Sequence, residues 1–327
     1  MIGFGLYMYQ NAAADASNII TFGFVGDIAP KKISKDTQPF LNVQDLHKSV
    51  DRLVGNFEGA VAEKGNKCYG GGRCFEILGN NNFVKAMKLS GVDVVNLANN
   101  HAMDAGEKGL KNTQNILTQE KILHSGIALS STFETYKNIT IGYVGFSPFK
   151  GTFPMLPDEV SAMVKKSEKK ADITVAFFHG GAEGVEYQHV KNSDEFFYGS
   201  NRENIFASAH AAVDAGADII IVSGPHVIRG AELYKGVPIF YSLGNYYGGD
   251  TFATGGILGE SFFLTADYDI IEKKFTKFLM TPITLYGRVT KIADDATAQK
   301  IQKRYNNLSQ ADFKEPIIFQ NFEYIIK

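Results

Sequence analysis

Apolar residues in this chain come in two patterns that alternate along it. Short, nearly continuous apolar runs read as strands buried on both faces, and runs with apolar positions three and four apart read as amphipathic helices. The first run, residues 19–25, is a strand ended by Gly26-Asp27. Residues 43–54 carry Val43, Leu46, Val50 and Leu53 at helical spacing and read as a helix, with a short strand over 55–59 that bears Glu58 at its tip. A helix over 82–90 is ended by Gly91. The run Val92-Asp93-Val94-Val95-Asn96-Leu97-Ala98 then reads as a central buried strand that breaks into Asn99-Asn100-His101, before a helix over 106–119. Strands follow at 139–146, 173–178 and 219–222, separated by helices at 158–170 and 202–215. Residues 231–234 and 237–242 flank Lys235-Gly236 as a hairpin, strands lie at 261–268 and 276–284, and a helix near 293–306 closes the pattern. Strand and helix alternate first and hairpins dominate afterwards. That order gives an α/β fold in a single domain over 19–327, with one mixed sheet or two stacked sheets.

Composition narrows the class without naming a function. The 327 residues are 44% hydrophobic and 21% charged, ordinary values for a globular protein with a real core. A formal net charge of -2 and the absence of a long basic run argue against nonspecific nucleic-acid binding. The first 18 residues carry a short apolar stretch and Ala14-Asp15-Ala16, a small-x-small pattern of the kind cut by signal peptidase, but no basic start. They read as a signal-peptide remnant or a frayed leader, and the pattern favours export. Cys68 and Cys74 enclose a glycine-rich loop. A disulfide in an oxidising, extracytoplasmic compartment suits that spacing; a metal site and two unrelated thiols are the alternatives.

The polar residues at strand ends carry the chemistry. Asp27, Glu58, Asn100 with His101, His179 and His226 each follow a strand, where loops held by a rigid sheet collect functional groups. One such residue alone is an ordinary turn or a loop histidine. Carboxylates, an amide oxygen and imidazoles together suit Mn²⁺, Fe²⁺, Zn²⁺ or Mg²⁺. Two such ions about 3.5–4 Å apart would clamp a phosphoryl oxygen, and a nearby His could protonate the leaving oxygen. His47, His124, His189 and His210 match no motif.

The order of these residues resembles the calcineurin-like metallophosphoesterases, and within them the CapA/PgsA-type poly-γ-glutamate capsule synthesis proteins. The likeness rests on Gly26-Asp27, Asn56-Phe57-Glu58-Gly59, the stretch from Asn96 to Asp104, His179-Gly180-Gly181-Ala182-Glu183-Gly184, Gly224-Pro225-His226-Val227 and the stretch from Ile239 to Asn245. It implies a four-layer α/β/β/α sandwich of the metallophosphoesterase type with one or two divalent ions. Asp27, Glu58, Asn100, His179 and His226 would be metal ligands and His101 the proton donor. Asp104, Glu183 and Asn245 would be ligands or groups that orient them, Ser223 would stand beside them, and Arg202 and Arg229 are candidates for anion contact. The resemblance implies a capsule synthesis or export role with a hydrolase site for a phosphoester or related linkage. The alternative is a noncatalytic subunit that binds an anionic polymer and serves membrane synthase subunits. Two departures bear on the metal: Ala29 and Ser223 stand where relatives place histidines. The site is then left with one ion, two loosely held ions, or a degenerate pocket.

Overall fold

The structure is a computed structural model and describes residues 18–66, 75–127 and 131–326. Two sheets dominate it. The larger runs Val289–Ile292, Lys274–Tyr286, Glu260–Asp269, Ile19–Ile28, Arg52–Phe57, Val94–Asn96 and Leu123–Ser125, with Asn245–Tyr247 beside the end of Ile19–Ile28 and Glu323–Ile325 against Lys274–Tyr286. Its strands from Ile19–Ile28 to Leu123–Ser125 are parallel, and the Glu260–Asp269 and Lys274–Tyr286 hairpin extends it antiparallel. The smaller runs Ala231–Tyr234, Val237–Phe240, Ile219–Ser223, Ile173–His179, Ile139–Phe146 and Thr132–Tyr136, parallel at its centre.

Side chains along a strand point alternately to its two faces, so each central strand serves two cores. Ile20, Phe22, Phe24 and Val54 of the larger sheet meet Tyr143, Val175, Phe177 and Ile221 of the smaller in the inner core. The outward residues Leu53, Val95 and Leu97 pack under Phe83, Val84 and Met87 of the helix Asn81–Ser90 and Ile116 and Leu117 of the helix Gly106–Gln119. On the far side, Ala176, Phe178, Ile220 and Val222 pack under the helices Pro157–Glu168 and Ile205–Asp214. The result is the expected four-layer α/β/β/α sandwich. The helix Asp295–Asp312 adds Ile301 and Tyr305 to the inner core, with Tyr305 against Phe262 and Phe319.

One expected element is wrong in kind. Only Gln44–His47 of the segment 43–54 is α-helical, and Arg52–Phe57 is a strand. Leu53 and Val54 pair in parallel with Gly23 and Phe24, so sheet hydrogen bonds override a helical spacing that rested on a few apolar positions. The central run is also shorter as a strand than its hydrophobicity suggested, with ladder pairing only over Val94–Asn96. Arg202 lies before the helix rather than in it, because Asn204 caps Ile205–Asp214 by accepting from Ala207 N at 3.0 Å. The segment up to residue 17, where a leader was expected, and the Cys68–Cys74 loop lie outside the described residues. Among the described residues, no helix is long and apolar enough to cross a membrane.

Candidate metal centre

Strand register brings the expected residues to one edge. Asp27 is level with Asn56, which is level with Asn96, and in the other sheet His179 is level with Ser223. The first strand is irregular here: its pairing to Arg52–Phe57 shifts between Phe24 and Asp27. Such bulges re-aim side chains. Gly26 permits the irregularity, because a Cβ there would overlap the Gly244 carbonyl oxygen, to which Asp27 N also bonds at 3.3 Å. The two sheets then join across their carboxyl ends. Gly224 N donates to Asp27 Oδ2 at 3.1 Å, and Asn56 Nδ2 bridges Asp27 Oδ1 at 2.8 Å and His179 Nδ1 at 3.1 Å.

His179 is held between two amides: Asn56 Nδ2 lies 3.1 Å from its Nδ1 and Asn100 Oδ1 lies 2.8 Å from its Nε2. His226 is oriented the other way. Its Nδ1 donates to Asn245 Oδ1 at 2.8 Å and faces Asp27 Oδ2 at 3.2 Å, leaving Nε2 turned to Glu58 at 3.6 Å. His226 holds φ at 58°, a left-handed backbone that costs a non-glycine residue about 1–3 kcal/mol. Strain of this kind collects at functional sites.

Glu58 is the centre of the arrangement. It is fully buried, and neither carboxylate oxygen has a hydrogen-bond partner. The Nε2 atoms of His226, His179 and His101 stand 3.6, 3.8 and 3.9 Å from its Oε1. These spacings are too long for hydrogen bonds and short enough for several donors to share one cation. Ligand atoms of Asp27, Glu58 and His226 all lie within 4.8 Å of one another. Burial, and then the charge of Asp27, push Glu58 well above its ordinary pKa. Burial acts the same way on Asp27, but hydrogen bonds from His179 and His226 hold it well below the ordinary value. Burial lowers His179. It also opposes charge on His226, yet Glu58, Asp27 and Glu183 raise that imidazole to about 10. A fully buried carboxyl group without a hydrogen-bond partner, set beside Asp27 and imidazole nitrogens, is a donor set of the kind that fits a divalent cation.

The remaining expected residues fall into place around it. His101 Nδ1 meets Asp104 Oδ2 at 2.8 Å, and the same oxygen accepts from Ile77 N at 2.6 Å. Ser223 puts its hydroxyl 3.1 Å from His179 Nδ1. Glu183 Oε1 faces Arg202 Nη1 at 2.9 Å while its Oε2 lies 3.9 Å from His226 Nε2. Arg229 departs from expectation as an anion contact. It is wholly buried and its donors are spent on Glu195, at 2.7 and 2.8 Å, and on the carbonyls of Tyr187 and Ala182. It braces the loop after His179. His189 pairs with Asp312, His210 with Glu232, and His47 is buried between Tyr246 and Ser90.

Sequence reasoning passed over the amide network beneath the site. Asn56 Oδ1 accepts from Asn96 Nδ2 at 3.0 Å and Asn99 Nδ2 at 3.3 Å, which in turn bonds Phe57 O at 2.8 Å. These asparagines sat inside the quoted motifs, but their role needs the register between strands. Phe252, 4.5 Å from the His226 ring, and Phe149, 6.2 Å from the His179 ring, were also missed.

Comparison with known proteins gives the family and the fold. The family model for the bacterial capsule synthesis protein PGA_cap matches residues 19–250. The chain is 30% identical over 256 residues to the PGA biosynthesis protein CapA of Bacillus subtilis (strain 168), covering 71% of this chain and 64% of that one. It is 31% identical over 258 residues to the capsule biosynthesis protein CapA of Bacillus anthracis, covering 69% and 59%. The matches thus span roughly three fifths of those relatives, at 64% and 59% of their lengths. A crystal structure described as a novel phosphatase from Mycoplasma pneumoniae shares the fold, with a TM-score of 0.53 at 15% identity over 86% of this chain and 97% of that one. The chain belongs to the bacterial capsule synthesis protein PGA_cap family and is built on a metallophosphoesterase-type fold.

Proposed function

We propose that this chain acts in capsule polymer synthesis or export, outside the cytoplasm, and carries a metal-dependent hydrolase site for a phosphoester or a related polymer linkage. The observation that carries the reading is Glu58, a buried carboxylate with no hydrogen-bond donor and imidazole nitrogens around it. Asp27, Glu58, Asn100, His179 and His226 would hold the ion, which when bound supplies Lewis-acid polarisation and acidifies water. Asn56 keeps Asp27 and His179 in their orientations. Asn245 does the same for His226. His101 has the geometry of a proton donor. Asp104 holds its Nδ1–H, so the ring is fixed and Nε2 is the atom free to pass a proton to a leaving oxygen. Phe149 and Phe252 flank the site beside His179 and His226.

A noncatalytic role, binding an anionic polymer for a membrane synthase complex, is the second reading. It is favoured by Ser223, whose hydroxyl meets His179 Nδ1 where an imidazole would add a ligand. Turnover of an aryl phosphate monoester and diester by Mn²⁺-loaded protein separates the two. The hydrolase reading expects turnover, with kcat in His101→Asn down by about 10²–10⁴-fold at unchanged metal content. Metal-loaded protein that turns over neither ester, or a His101→Asn variant as active as wild type, would leave the binding role.

A further inference from the structure

Arg202 is out of balance with its surroundings. It is only 8% exposed, yet its Nε and Nη1 are buried without a hydrogen-bond partner. Glu183 Oε1 stands 2.9 Å from Nη1 but off the line of a hydrogen bond. The other well-buried guanidinium in this region, Arg229, has its donors filled by Glu195 and backbone carbonyls. Leaving buried guanidinium donors without acceptors costs about 1–3 kcal/mol or more, which the nearby Glu183 charge and the adjacent rings offset only in part.

The surroundings also shape what could fill the gap. The guanidinium carbon lies 4.8 Å from the Phe149 ring centre and 5.5 Å from that of Phe197. Rings packed on a guanidinium exclude water from its face and leave its edge as the route for a partner. A planar edge with two hydrogen-bond donors matches two oxygens of a carboxylate or phosphoryl group. The position is beside the metal centre. Phe149 also lies 6.2 Å from the His179 ring, and Glu183 reaches from Arg202 to within 3.9 Å of His226 Nε2. The positive charge of Arg202 adds to burial in lowering the pKa of His179.

We infer that Arg202 forms an oxyanion subsite next to the metal centre, taking a carboxylate or phosphoryl group of the substrate other than the one attacked. Its place as a subsite rests on the proposed hydrolase reading; its capacity to bind an anion does not. Glu183 is then the internal carboxylate that a substrate anion displaces from Arg202.

Calorimetric titration of the Mn²⁺-loaded protein with glutarate and, separately, with inorganic phosphate tests this without needing turnover. Arg202→Ala is expected to weaken binding of at least one probe about tenfold or more, and Arg202→Lys to recover only part of it, since a lysine keeps the charge and loses the fork. Loss for glutarate alone assigns a carboxylate, loss for phosphate alone a phosphoryl group, and loss for both a general oxyanion site. Glu183→Gln is expected to tighten binding, and the gain to vanish in the double variant with Arg202→Ala. This opposite sign separates an anion site from a structural arginine whose loss loosens the fold. Unchanged affinity for both probes in a folded, metal-loaded Arg202→Ala overturns the inference, even if ester hydrolysis is found. Absence of hydrolysis with the Arg202-dependent binding intact counts only against the hydrolase reading.

Discussion

A buried histidine can serve a site or the fold, and its neighbours show which. His47 is 1% exposed, bonds Tyr246 through Nε2 at 2.6 Å and lies 3.3 Å from the Ser90 hydroxyl through Nδ1. No carboxylate is among these partners, and burial lowers its pKa to about 4. In the unfolded chain a histidine takes up a proton near pH 6.5. Between that value and about 4 the unfolded state binds a proton that the folded state refuses, so stability present above pH 6.5 is lost as pH falls through this window. The shift corresponds to about 3 kcal/mol. Urea unfolding at pH 7.5 and at pH 5 is expected to show a smaller drop in His47→Gln than in wild type; an equal drop would place the acid sensitivity elsewhere. The contrast with His226 is one of company. His226 is partly buried, but Glu58, Asp27 and Glu183 surround it and raise it to about 10.

At the scale of elements, the site depends on the irregular end of the first strand. Gly26 lets the Gly244 carbonyl pass where a side chain would stand, and this contact places Asp27 level with both Asn56 and Asn245. Gly26→Ala is therefore expected to destabilise by about 1–3 kcal/mol through overpacking against backbone and to lose metal affinity with it. A variant that binds metal with wild-type affinity would show that the loop can move aside. Much of this arrangement was legible beforehand. Strand ends could be read because apolar runs stop abruptly at Asp27, Asn100, His179 and Ser223, and the helix Gly106–Gln119 has clear helical periodicity. Arg52–Phe57 was misread because Val43, Leu46, Val50 and Leu53 mimic a helix while the pairing partner of Leu53 lies 30 residues earlier, at Gly23. Long-range pairing also hid the roles of Asn56, Asn96 and Asn99, which share one face only after three strands align. Arg229 read as a candidate anion contact because nothing in sequence announces that Glu195 will fold back over it.

At the scale of the whole molecule, the proposed donor set draws on both sheets. The larger gives Asp27, Glu58 and Asn100 and the smaller gives His179 and His226, so an ion at this edge would tie the sheets together. Without one, the fold retains a fully buried carboxylate that no donor satisfies, at a cost of about 1–3 kcal/mol or more. The measurement that bears most directly on this is metal content per chain, by elemental analysis of protein purified without chelator and after Mn²⁺ or Zn²⁺ loading, beside Glu58→Gln and Asp27→Ala. The expected result is a stoichiometric divalent metal in wild type, one or two ions per chain, lost in both variants while the fold is retained. No metal in wild type even after loading, or full metal content in both variants, would contradict the reading of this edge as a metal centre.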